Sequence, residues 1–515
     1  MRRTMVKTAT CLPSFRISSW LLFALLLPFV CPAQLRLASV FSDNMVLQRD
    51  KPVCIWGTGI PGSNIRVRFA GEELNTVVAA DSAWRVYGKK RKPGNRSYTL
   101  SVSSGKEVLV LENILIGDVW IVSGQSNMEW PMVREMHWKA EAGKIASPLI
   151  RFNNPPPAGR YVYGTVYTDS LRRRLTPDSF YLWNRWQVCD SSTARNMSAV
   201  AYYFARTIVD AKNIPIGVIN LSIGGAPIET FIRAGTLRDD ARFNAKVSGN
   251  WLENTALPQW IRQRGKENIG VFTDTSGDLT GPGHAYKPGF AYEGGIQPLR
   301  LFPIKGLIWY QGESNSLEAE RAGEYPDLMR LLISDYRKEW KDPRMPVYWV
   351  QLSSIDTPYY QSQFWPLFRD GQRKLLMETT NTGMAVSSDI GLASNVHPTN
   401  KKAVGERLAR WALKQEYGLP LVPSGPLPVN AVYRNGGVVL TFQYAEKLRA
   451  SDGTALHGFS LDGKKEAEAF IRGNTVVIPC AEKPVQVYYG WKPFSDGNLV
   501  NGENLPASTF LLQVK

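Results

Sequence analysis

The tetrapeptide Gly124-Gln-Ser-Asn127 closes an apolar run, Val119 to Val122, and places a serine hydroxyl just past the end of a strand. A buried strand that stops at Gly-x-Ser and turns into a new segment can expose a nucleophilic oxygen above the carboxyl edge of a sheet, the glycine permitting the tight turn. Such a hydroxyl needs a base of near-neutral pKa, and histidine is the usual one. The chain has four histidines, His137, His284, His397 and His457. His397 stands in Asn395-Val-His-Pro-Thr-Asn-Lys401, a polar loop immediately before the helical pattern Ala403 to Leu413. A loop at a strand-to-helix junction can face the same sheet edge as Ser126, which makes His397 the best candidate. His137 follows the serine closely in the chain, and His457 lies in a β-type region.

Two further strand ends carry groups suited to acyl transfer, which needs donors aimed at a developing oxyanion. Trp309-Tyr-Gln-Gly-Glu-Ser-Asn315 offers the amides of Gln311 and Asn315 and the carboxylate of Glu313. Asn220-Leu-Ser-Ile-Gly-Gly-Ala-Pro-Ile-Glu-Thr230 ends a strand at Gly224-Gly225, where a substrate can approach backbone N–H groups closely. Each stretch alone reads more readily as an ordinary turn. Three strand ends closing on glycine, with a loop histidine, point together to a hydrolase site.

The elements that must hold these residues follow from periodicity. Asp118 to Val122, Ile216 to Leu221, Gly306 to Tyr310 and Pro346 to Gln351 read as buried strands, and Ala199 to Ala211 and Pro326 to Trp340 as helices. Alternating strands and helices over 113–425 predict a parallel sheet covered on both faces. Residues 34–112 and 426–515 carry short alternating runs separated by Gly and Pro turns, and read as two flanking β-sandwich domains. The aromatic, Pro-rich stretch from Asn153 to Asp190 is expected to line one side of the carboxyl edge.

A chain of 515 residues is too long for one ordinary domain. Residues 1–33 have a basic lead, an apolar core from Trp20 to Val30 and small residues at Pro32-Ala33, the pattern of a signal peptide. The mature chain is therefore expected to be secreted or periplasmic, with no membrane span. Cys31 leaves a lipoprotein anchor as the weaker alternative. Cys54, Cys189 and Cys480 outside the leader match neither a disulfide framework nor a metal site. The net charge of +16 in an exported protein argues against nucleic acid and tolerates an anionic glycan, although a generally basic surface explains it as well.

Gly-Gln-Ser-Asn-Met at 124–128, Ile-Gly-Gly-Ala-Pro-Ile-Glu at 223–229, Trp-Tyr-Gln-Gly-Glu-Ser-Asn at 309–315 and Val-His-Pro-Thr-Asn-Lys at 396–401 resemble the four blocks of SGNH-type hydrolases. More closely, the set resembles the sialate O-acetylesterase family of carbohydrate esterases. Phe41 to Gln48, Phe368 to Gln372 and Val487 to Trp491 match further family segments. The resemblance implies a flavodoxin-like SGNH hydrolase domain, no cofactor and no metal, and removal of O-acetyl groups from sugars. Ser126 would attack the acetyl carbonyl and His397 would take its proton. The N–H groups of Ser126 and of Gly224 or Gly225, with the amide of Gln311 or Asn315, would form the oxyanion hole. Gln125, Asn127, Arg369 and Gln372 would touch substrate. One departure stands out: the family often carries an aspartate two or three positions before the histidine, where this chain has Asn395 and Ser394. The orienting acid is then Asp389 or Glu313, or the site runs as a Ser–His dyad helped by a backbone carbonyl. O-acetylated sialic acid is the first substrate implied. Acetylated xylan, xyloglucan or pectin are rivals, and a carbohydrate-binding scaffold with a dead site is the reading from another class. A lipid esterase would want a broad apolar pocket, which the polar stretch at 153–190 disfavours.

Overall fold

The computed structural model describes residues 34–159, 163–270 and 278–515; the expected export leader, residues 1–33, lies outside them. The backbone of the molecule is one long strand, β1 (Glu107–Gly124). Its first half pairs antiparallel with Gly94–Ser104, and its second half sits in a parallel sheet. The chain then adds β2 (Ser147–Asn153), β3 (Gln187–Cys189), β4 (Ile216–Asn220), β5 (Gly306–Tyr310), β6 (Val347–Val350) and β7 (Thr382–Ala385). Their order is β3-β2-β4-β1-β5-β6-β7, with only β3 antiparallel to its neighbour among these pairings. β4 and β5 flank β1, so the three strand ends that carry the chemistry emerge side by side at the point where the winding direction reverses, where ligands bind in open α/β sheets.

All residues of β4, β5, β6 and β7 are buried, as a sheet covered on both faces requires. Helices α1 (Ser126–Glu129), α2 (Ala199–Lys212), α3 (Ala319–Glu339), α4 (Trp365–Glu378) and α5 (Lys401–Gln415) follow in chain order. α2 and α5 pack on each other so closely that a side chain at Gly405 would strike the α2 backbone at Val200. α3 pairs with α4, and Trp309 of β5 reaches Tyr325 of α3 with its indole N–H at 3.1 Å. Ser198 caps α2 and Asn400 caps α5 through side-chain oxygens that accept the Ala201 and Ala403 N–H groups. α3 begins at Ala319 rather than at Pro326, which lies inside it.

The N-terminal strands form a three-stranded sheet beside the strands that run into β1, and their core is continuous with that of the catalytic region. No break falls at 112, because β1 passes straight through that position. The C-terminal strands, from Leu427 to Gln513, have a small core of their own built on Val438, Leu440, Val476, Ile478, Val487 and Phe510. The molecule is a mixed α/β protein of several sheets.

Candidate active site

Gly124 ends β1 with φ +133, a conformation that side chains disfavour, and a Cβ there would overlap the Tyr310 carbonyl. The Gln125 N–H is held by that same carbonyl at 2.9 Å. Ser126 opens α1 immediately afterwards and is partly open to solvent. His397, 271 residues away, points Nε2 at Ser126 Oγ across 2.8 Å. The other histidines are engaged elsewhere: His137 with Glu135 at 2.9 Å, His284 with Asn268 at 3.0 Å, and His457 with Glu466 at 3.2 Å.

The indole of Trp130 stacks beside the imidazole, ring centroids 5.4 Å apart and 23° from parallel. Burial, with the charges of Lys401 and Arg134 adding to it, pushes His397 down to about 4. The imidazole is therefore neutral at pH 7, the form that can accept a proton from the serine. Gly224 lies against the nucleophile helix, its missing Cβ 3.9 Å from that of Ser126 and 3.1 Å from the Glu129 carboxylate. Gly225 is in the left-handed region, φ +71, and its carbonyl accepts the Ser314 hydroxyl at 2.8 Å.

Several expected partners are not where the sequence reading puts them. Asp389 spends both oxygens on Arg407, each at 2.7 Å, and makes no bond to His397. Glu313 is fully buried and accepts from Asn127, not from the imidazole. The Asn395 side chain accepts the His397 backbone N–H at 2.9 Å. Neither amide proposed for the oxyanion hole is aimed outward. Gln311 Nε2 donates to Asn315 Oδ1 at 2.7 Å and to the Ala226 carbonyl at 3.3 Å, and Asn315 Nδ2 donates to buried Glu229 at 3.0 Å. Together they fix the loop after β4 instead.

The four residues assigned to substrate contact are all buried. Gln125 Oε1 accepts the N–H groups of Gly312 and Ser314, both at 3.3 Å, tying the nucleophile turn to the end of β5. Asn127 donates to Glu313 and to the Val396 carbonyl, the latter at 3.0 Å, and accepts from Lys401. Gln372 clamps the end of β6 through the Val350 carbonyl and the Leu352 N–H, both at 3.0 Å. Arg369 donates to Ser353, Ser354, Gly490 and Lys492, fastening the C-terminal strands to the sheet. The family resemblance implied contact with substrate; burial assigns them to the frame. Conversely, Trp130 and Lys401 contribute to the surroundings of the base and were not singled out. Their signal was proximity to Ser126 and His397 in the chain.

The family of carbohydrate esterases described as sialic acid-specific acetylesterase matches residues 289–414. The sialate O-acetylesterases of Homo sapiens and Pongo abelii are each 27% identical over 474 residues, covering 85% of this chain and 83% of theirs. A crystal structure of a carbohydrate acetylesterase from Xanthomonas citri is 29% identical and covers 93% of this chain and 99% of its own, with a TM-score of 0.76. The likenesses to these relatives and to the crystal structure cover 85% to 93% of the chain, and the family match includes His397. The chain is similar to sialate O-acetylesterases over most of its length, carries the sialic acid-specific acetylesterase segment of the carbohydrate esterases at 289–414, and is a carboxylic ester hydrolase.

Proposed function

We propose that the protein is an exported carbohydrate O-acetylesterase of SGNH type, its catalytic sheet flanked by two β regions, acting first on O-acetylated sialic acid. The observation that carries the mechanism is the 2.8 Å approach of His397 Nε2 to Ser126 Oγ. Ser126 Oγ attacks the acetyl carbonyl as His397 takes its proton. The imidazolium then returns that proton to the sugar oxygen, which leaves as the alcohol. Water, deprotonated by His397, cleaves the acetyl-enzyme and releases acetate. The Ser126 and Gly224 N–H groups are the donors assigned to the oxyanion, since the Gln311 and Asn315 amides are engaged.

The choice of an anionic sugar is supported by exposed Arg134, set over the Trp130 ring at 5.9 Å beside the imidazole, and by Arg264 over the exposed ring of Tyr163, which lies against Gly225. Arg264 is paired with Glu267 at 2.8 Å and the Glu129 carboxylate lies by Gly224, so Arg134 is the cation on which this substrate choice chiefly rests. Acetate release from O-acetylated sialosides and from acetylated xylan, xyloglucan and pectin tests this reading, with faster release from the sialosides expected. Preference for a neutral polysaccharide would overturn the substrate choice. Equal, background-level rates for the parent and Ser126→Ala on 4-nitrophenyl acetate would favour the non-catalytic scaffold. Export is tested by the N-terminus of the mature protein, expected just after residue 33.

A further inference from the structure

The imidazole of His397 has no carboxylate bonded to it among the described residues, yet it must be held in register with the serine. The group that does connect the two is Asn127. It follows the nucleophile in the chain, is fully buried, and binds the backbone carbonyl of Val396, the residue next to the base, at 3.0 Å. Its amide also reaches Glu313, at the end of β5, and its oxygen accepts from the ammonium of Lys401, at the start of α5. One side chain thus joins the nucleophile turn, the base loop, the β5 end and the α5 start.

Lys401 is fully buried, an expensive place for an ammonium. It lies over the faces of Trp130 at 5.6 Å and Tyr310 at 5.4 Å, so the ring stacked on the imidazole also faces the cation. Glu313 and Glu135 are the carboxylates facing it, Arg134 is the other cation near the imidazole, and Glu129 lies on the nucleophile helix. Glu313 Oε2 has no hydrogen-bond partner among the described residues; burial pushes this carboxyl up, and the Asn127 amide and the Lys401 charge pull against that.

We propose that Lys401, acting through Asn127, is a positioning residue for the Ser126–His397 pair, fixing the base loop against the nucleophile turn where a histidine-bound carboxylate is absent. The proposal rests on Ser126 and His397 being the reacting pair. Burial pushes Lys401 down to about 7, against the pull of Glu313 and Glu135. Below that pH the ammonium is charged, and its field opposes protonation of His397. Lys401 therefore acts in two separable ways, as a hydrogen-bond donor to Asn127 and as a charge near the base.

Lys401→Met keeps length and apolar contact and removes both; Lys401→Gln keeps a donor and removes the charge. On 4-nitrophenyl acetate, Lys401→Met is expected to lower kcat by about tenfold to a hundredfold with KM little changed, the pattern of misplaced reacting groups. Lys401→Gln should recover most of that loss. In both, the acid limb of kcat/KM should move up from about 4 toward 6.5. Parent-like kcat and limb in either folded variant, or equal losses in both with an unmoved limb, would overturn the proposal. If Lys401→Met does not fold, the limb of Lys401→Gln decides alone. Ser126→Ala, run alongside, separates the failures: if it keeps parent activity, the reaction itself is misassigned, whereas if it alone is inactive, only the role of Lys401 falls.

Discussion

Gly124 and Tyr310 meet backbone to backbone: the absent side chain of the glycine is the space the Tyr310 carbonyl occupies, and that oxygen in turn holds the next residue's N–H at 2.9 Å. Gly124→Ala adds a methyl group into a carbonyl and strains a φ of +133. The variant should lose about 3 kcal/mol of stability or more. Urea unfolding would register this, with a midpoint well below that of the parent.

Removing either reacting group should be close to complete. Ser126→Ala and His397→Ala are each expected to lower kcat by about 10⁴-fold or more, with no further loss when combined, because the pair acts as a unit. Single and double variants assayed on 4-nitrophenyl acetate provide the check.

The acid limb of kcat/KM should lie at about 4, because burial and the nearby cations hold the free imidazole down there. The sign follows: the base is competent above that value and is lost as pH falls through it. A limb near 6.5, the ordinary value, would mean that the imidazole is more solvated than its surroundings suggest.

Asp389→Asn should leave kcat/KM within about threefold of the parent, since Arg407 and not His397 takes its oxygens. The lost ion pair, partly exposed, is worth about 0–1 kcal/mol. A fall in activity of about 10⁴-fold, as for a true triad acid, would contradict this geometry.

Stability should decline on acidification below the ordinary histidine range. His284, fully buried, is pushed down to about 3, and His397 to about 4. Below 6.5 the unfolded chain binds protons that the folded chain refuses, so unfolding free energy falls with pH over the window from 6.5 to about 3. Urea midpoints measured across that window should decrease steadily, and a His284→Asn variant that folds should decrease less.

Ser126 and His397 were legible because strand, glycine and polar loop are local patterns. The roles of Gln125, Asn127, Arg369 and Gln372 were not, because residue type reports polarity and not burial. Arg369 finds Gly490 and Lys492 more than 120 positions away, a pairing no local pattern contains. Asp389 lies near the histidine in sequence, but Arg407, one turn and more along α5, competes for it. The boundary placed at 112 has a physical source too. The pattern changes there from short alternating runs to buried strands and helices, yet one strand, β1, carries the chain through the change, with Asn113 at φ +57 inside it. Pro326 read as a helix start, whereas α3 carries it in its interior.

Because β1 begins among the N-terminal strands and ends one residue short of Gln125, the nucleophile is mounted on a beam whose far end is anchored outside the catalytic sheet. The front portion of the chain cannot be trimmed away as a detachable cassette. Cutting near 112 would sever the beam, and transplanting residues 113–425 alone would leave Ser126 on a stump without its footing.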